Sequence, residues 1–199
     1  GEYLWKPING YNRLSGIVVN GNGHTIRNMK VRGCTNSRVY GAGFIGDING
    51  AVTVKDIAFD GADVFFVNYA KPQFAGNVGG VVLGYTYGTT LFENVSVTNS
   101  SIWGFGKIGI LLGMGADPGV KVTFKDCVSK NNTIHAAYDM GGLAGMIQRG
   151  NGVDNASVEN CTVENITVDY YEECVDVQGK ATLKENDKNG ADVLSLIHI

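Results

Sequence analysis

Proline is nearly absent from this 199-residue chain, with 3 residues, and charge is sparse at 18%. Low charge beside 44% hydrophobic residues excludes a disordered chain, which needs the opposite balance. A net charge of −3 spread along the chain gives no electrostatic basis for nucleic-acid binding. No apolar run approaches the roughly 20 residues that a membrane-spanning helix needs. The 4 cysteines show no C-x-x-C spacing and are too few for a disulfide scaffold, so neither zinc nor a cystine framework is implied. No nucleophile elbow, phosphate loop or H-E-x-x-H motif occurs, and no cofactor is expected. The chain starts at Gly1 with neither an initiator methionine nor a signal peptide, and so reads as a fragment or a trimmed product.

Glycine is abundant instead, at 29 residues, about twice the average share. Glycine without proline, among Val, Ile, Thr and Asn, points to short strands joined by tight turns. One six-residue phrase then recurs: Ile26–Val31, Val54–Phe59, Phe92–Val97, Phe124–Ser129 and Val158–Val163. Each copy reads apolar, charged, Asn or Asp, apolar. The Asx residues fall at positions 28, 56, 94, 126 and 160, the spacing of a stacked solenoid. A second phrase ends in glycine ahead of each later copy: Gly43–Gly46, Val81–Gly84, Ile110–Gly113 and Gly142–Gly145. A third strand follows, seen at Ile166–Val168 and around Ile134.

Three strands per coil predict an all-β, right-handed parallel β-helix of five to six coils. Propeller blades need four antiparallel strands, and the leucine-rich pattern is absent. The expected division is an N-terminal cap over 1–16, the helix over 17–178, and an irregular or truncated tail over 179–199. Tyr3, Leu4, Trp5, Pro7 and Ile8 supply apolar surface that could close the first coil. The closing run Val193–Ile199 reads either as a strand cut mid-coil or as translated adapter sequence.

The Asx column has a physical cause: Asn and Asp tolerate left-handed backbone angles, and their side chains can bond main chain and one another when stacked. Arg27, Lys55, Glu93, Lys125 and Glu159, just before them, would form an outward file with largely alternating signs. Cys127 and Cys161 share one repeat position and are read as core stacking rather than a disulfide. N-x-S/T triplets recur, among them those starting at Asn94, Asn131, Asn155, Asn160 and Asn165; Asn turns beside Thr-rich strands generate them without any glycosylation.

Trp5-Lys6-Pro7-Ile8, Gly21-Asn22-Gly23-His24-Thr25-Ile26 and Gly141-Gly142-Leu143-Ala144-Gly145 resemble bacterial surface β-helix proteins with GLUG-type repeats. The resemblance covers roughly residues 3–168. It implies a secreted or surface-anchored, adhesin-like module, with no shared catalytic residues to carry over.

An enzyme on this scaffold, of the lyase or glycosidase type, would need converging carboxylates. Asp60 with Asp63, Asp139, Asp154 and the Glu172-Glu173-Asp176 group are the local candidates, and they read as solvated turn residues. No Asp pair recurs in neighbouring coils. His24 and His135 read as structural or surface residues. The remaining hint is aromatic: Tyr85, Tyr87, Trp103, Phe105 and Tyr138 lie in or beside glycine-rich turns, where packing alone requires no large rings. They are the candidate ligand-binding residues, suited to sugar rings or to filling gaps over the sheets. Phe65, Phe66 and Tyr69 fall in a longer insertion that could pack over the side of the helix. The expected partner is a glycan or a host or bacterial surface protein, met outside the cell.

Overall fold

The structure, a computed structural model, describes residues 3–8, 14–34, 41–67, 78–104, 106–116, 120–136, 139–148, 155–175 and 181–185. Among them every regular element is a strand. A partial first coil holds β1 (Leu14–Arg27) and β2 (Lys30–Cys34). The second holds β3 (Gly41–Ala42), β4 (Ile45–Asp60) and β5 (Asp63–Val67). The third holds β6 (Val78–Gly80), β7 (Leu83–Thr86), β8 (Thr90–Thr98) and β9 (Ser101–Trp103). The fourth holds β10 (Ile108–Gly109), β11 (Leu112–Gly115), β12 (Val122–Lys125) and β13 (Val128–Ala136). The last holds β14 (Met140–Gly141), β15 (Ala144–Ile147), β16 (Ala156–Glu159) and β17 (Thr162–Val175).

Coil lies on coil in parallel register, so the chain is a parallel β-solenoid of about four turns. The sequence suggests five or six coils, and the described residues form a partial first coil and four further ones. β18 (Ala181–Glu185), within the tail expected to be irregular or truncated, runs antiparallel to the end of β17. Residues 3–8 lie along the second coil: Ile8 N–H donates to Phe44 O at 3.0 Å, and Gly46 N–H donates to Ile8 O at 2.8 Å. Trp5 stacks on Phe44 at 5.0 Å, while Tyr3 and Leu4, expected in the same apolar cluster, are exposed.

Each coil turns at left-handed corners. Asp56, Asn94, Asp126 and Asn160 stand at φ values of 52°, 52°, 55° and 50°. A second column stands five residues later, at Gly61, Asn99, Asn131 and Asn165, again with positive φ. On either side of the corners, strands alternate one side chain in and one out, as a half-buried strand must. Val54, Phe92 and Phe124 therefore stack in the core, with the two phenyl rings 5.1 Å apart and nearly parallel. Burying such a ring contributes about 1.5–3 kcal/mol.

The first repeat copy is out of step with the rest. Asn20 pairs with Lys55, but Arg27 pairs with Asp60, and Asn28 N–H donates to Asp60 O. Asn28 therefore sits on the second column, beneath Gly61, and not beneath Asp56. The first corner of this coil is taken by Gly21-Asn22-Gly23, where the register shifts between Asn20 and His24. Some second corners carry the apolar-charged-Asx signature of the first, as Val163-Glu164-Asn165 does beside Val158-Glu159-Asn160, so the Ile26-Arg27-Asn28 copy could be aligned with either. The charged file is accordingly Lys55, Glu93, Lys125 and Glu159, without Arg27. Lys125 Nζ lies 2.8 Å from Glu93 Oε1.

The glycine phrase has its own cause. A Cβ on Gly113 would stand 2.5 Å from Gly84 O and 2.7 Å from Gly79 N of the coil below. Gly84 and Gly145 press on backbone in the same way, and only a hydrogen fits this seam. Gly113→Ala should therefore lower stability by about 3 kcal/mol through overpacking. Gly23→Ala meets open space and only the left-handed penalty of about 1–2 kcal/mol. Urea denaturation of both variants checks the ranking; equal losses would contradict the seam.

Candidate binding face

Beyond the second corner, β2, β5, β9, β13 and β17 stack, and one inward column runs Val31, Val64, Ile102, Ile134 and Val168. Their neighbours face outward in two columns. One runs Asp63, Ser101, Thr133, Thr167. The other runs Arg32, Phe65, Trp103, His135, Asp169. Trp103 thus joins a ladder that the sequence pattern alone does not assemble. Phe65 belongs to this ladder rather than to an insertion, and His135, read as a structural or surface residue, stacks within it. A signal for the column exists, because each member follows its corner residue by a constant four: Gly61, Asn99, Asn131, Asn165.

Trp103 and His135 stack face to face at 3.6 Å and 15°, and Phe65 tilts against Trp103 at 6.4 Å. The stacked faces cover each other, so edges turn outward and the rings stay half-buried. Such pairs contribute about 0.5–1.5 kcal/mol beyond area burial. Arg32 pairs with Asp63 at one end, and His135 Nδ1 lies 3.1 Å from Asp169 Oδ2 at the other. The result is a flat stripe of ring edges and hydroxyls bounded by ionic groups.

The other aromatic candidates divide. Tyr85 and Tyr87 meet edge to face at 4.6 Å, within a small cluster with Val78, Met114, Ala116 and Met146. Tyr85 is only 6% exposed, which leaves little ring face for a ligand. Phe105 and Tyr138 lie outside the described residues, as do Asp154 and Asp176.

The carboxylates are spread along the coils. Asp60 accepts from Asn99 and Thr98, which hold its carboxyl below the usual range, with Arg27 adding less. Asp139 lies 3.6 Å from Lys107 of the coil below, and Glu164 lies 3.0 Å from Lys130. Among the described residues no group of three His, Cys, Asp or Glu could hold a metal ion. Glu172 and Glu173 lie on β17, opposite Lys184 and Leu183 of β18. His24 is exposed on β1, opposite Ile57.

A buried polar network at the second corner has no counterpart among the sequence expectations. Asn132 Nδ2 donates to Val97 O at 2.9 Å and Ser129 Oγ at 3.1 Å, and its Oδ1 accepts from Ser100 N–H at 2.9 Å. Ser100 Oγ in turn donates to Thr98 O and accepts from Ala62 N–H. These bonds satisfy polar groups inside an otherwise apolar stack. The N-x-S/T asparagines also spend their amides on neighbouring groups: Asn94 on Asp56, Asn99 on Asp60, Asn131 on Asn99, Asn155 on Gln148, Asn160 on Asp126 and Asn165 on Asn131.

Comparison with known proteins returned no matching family model, no matching curated protein and no matching solved structure.

Burial holds the His135 imidazole below its ordinary value of 6.5, and Asp169 opposes that shift more weakly. The unfolded chain then binds the proton first, so His135 destabilises the fold as pH falls from the unfolded value toward the folded one. An NMR titration of His135 should give a midpoint below 6.5, lowered further in Asp169→Asn. A midpoint above the ordinary value would contradict the burial argument.

Proposed function

We propose that this protein is a non-enzymatic, adhesin-like β-solenoid module, secreted or at a bacterial cell surface, that binds a glycan or a surface protein. The observation that carries the reading is the outward stripe of Phe65, Trp103 and His135 beside Ser101 and Thr133. It is an ordered, half-exposed aromatic and hydroxyl surface on a rigid sheet. Rings on rigid backbone offer apolar contact at low entropic cost, and hydroxyls beside them can orient polar ligands. The resemblance to GLUG-type surface proteins supports the same reading.

A second reading is a passive spacer. Pairs such as Lys125 with Glu93 and Lys130 with Glu164 satisfy charge between coils, which suits a column whose task is length. The two readings part on a broad glycan array that includes mucin and plant polysaccharides. The binding reading expects a reproducible signal for one glycan class or, failing that, for a surface protein in a parallel screen. It further expects Trp103→Ala to weaken that binding at least tenfold with the urea midpoint still cooperative, and Tyr87→Ala to report on the second cluster. Folded protein without any signal, or binding indifferent to both substitutions, would leave the spacer.

A further inference from the structure

Cys127 and Cys161 occupy one inward column on successive coils, directly after the first corner. Thr162 N–H donates to Cys127 O at 2.9 Å, so the two coils are hydrogen-bonded at this point. Cys127 N–H in turn approaches Cys161 Sγ at 3.4 Å, which places the upper sulfur over the lower residue. Both thiols now donate to the carbonyl two residues earlier, Lys125 O and Glu159 O, each at 3.3 Å. Neighbouring coils lie about 4.8 Å apart, inside the Cα separation of about 4.4–6.8 Å that a disulfide spans.

Access differs between the two. Cys127 is fully buried, whereas Cys161 is half-buried. The difference belongs to the coil. Phe124, Ser129, Asn132 and Ile134 are 1% exposed or less, while their counterparts Val158, Val163, Ile166 and Val168 are only partly buried. Cys161 is thus the more accessible sulfur of the pair.

We propose that Cys127 and Cys161 form a dithiol site that a low-molecular-weight disulfide converts to a disulfide joining the two coils. The Cys161 thiolate attacks the external disulfide, forming a mixed disulfide and releasing one small thiol. Cys127, deprotonated, then attacks Cys161 Sγ and expels the second small thiol. Two protein thiols are oxidised, one external disulfide is reduced, and the two protons leave to solvent or to the released thiolates. The order follows from burial, which pushes the Cys127 thiol up to about 12 and denies it the first attack. The second step requires both side chains to swing away from their carbonyls, so it is the slower one. The closed loop spans 34 positions of sequence, long enough for the link to restrict the unfolded chain. The dithiol lies apart from the aromatic stripe and does not depend on what that stripe binds.

The test treats the folded protein with oxidised glutathione, blocks remaining thiols with N-ethylmaleimide and digests with trypsin and a Glu-specific protease. The expected product is peptide 126–130 joined to peptide 160–164, lighter by two hydrogens than their sum. That digestion separates Cys161 from Cys174. Oxidised protein should also melt several degrees higher than reduced protein, and the shift should vanish in Cys161→Ala. A persistent glutathione adduct on Cys161, or both cysteines recovered alkylated from protein shown to be folded, would overturn the proposal. The peptide map needs no variant, so it decides the matter even where Cys161→Ala misfolds.

Discussion

A backbone turned into the left-handed region at fixed points of every coil is the constraint on which the rest depends. The turn takes an L-residue to a conformation that costs about 1–2 kcal/mol for most side chains. Asn, Asp and Gly hold nearly all such positions here, although Lys107 also stands at φ 46°. Once two corners lie a constant interval apart, the strand between them has a fixed length and phase. Phase decides which residues face inward, because a one-residue slip would expose the whole apolar set. The corner columns thus set the core columns, and the core columns hold the corners in register.

The ladder of corner amides has a direction. Asn94 donates down to Asp56, Asn160 to Asp126, Asn165 to Asn131 and Asn131 to Asn99. An aspartate can only accept, so it serves beneath an asparagine. Elsewhere charges are consumed between coils in the same manner, and ring faces of Trp103 and His135 are consumed by each other. What the described outer surface offers a partner is edges and hydroxyls in regular rows, a broad and shallow presentation.

Much of the architecture is legible in the sequence because the corner chemistry is local. The phrases around Asp56, Asn94, Asp126 and Asn160 mark strand, corner and register correctly, and the glycines of Gly46, Gly84, Gly113 and Gly145 fall in register as their alignment implies. Asn28 misleads because the second corner uses the same residue types as the first, and only pairing across coils tells them apart. The candidate face is harder to read. Trp103 stands out as a large ring beside a turn, but its partners Phe65 and His135 are chemically unlike it, and no repeated letter marks their column. Asn132 is invisible for a related reason: inward-facing Asn is distinguished from outward-facing Asn131 only by phase. Side-chain role follows from position in the coil more than from residue type.

The corner constraint is tested most directly by comparing Asn131→Gly with Asn131→Ala in urea denaturation. Both remove the amide bonds to Asn99 and from Asn165, but only alanine is strained at a φ of 56°. The alanine variant should be less stable than the glycine variant by about 1–2 kcal/mol, despite the greater flexibility glycine gives the unfolded chain. A glycine variant as unstable as the alanine variant, or less stable, would contradict the claim that left-handed corners set the register of this solenoid.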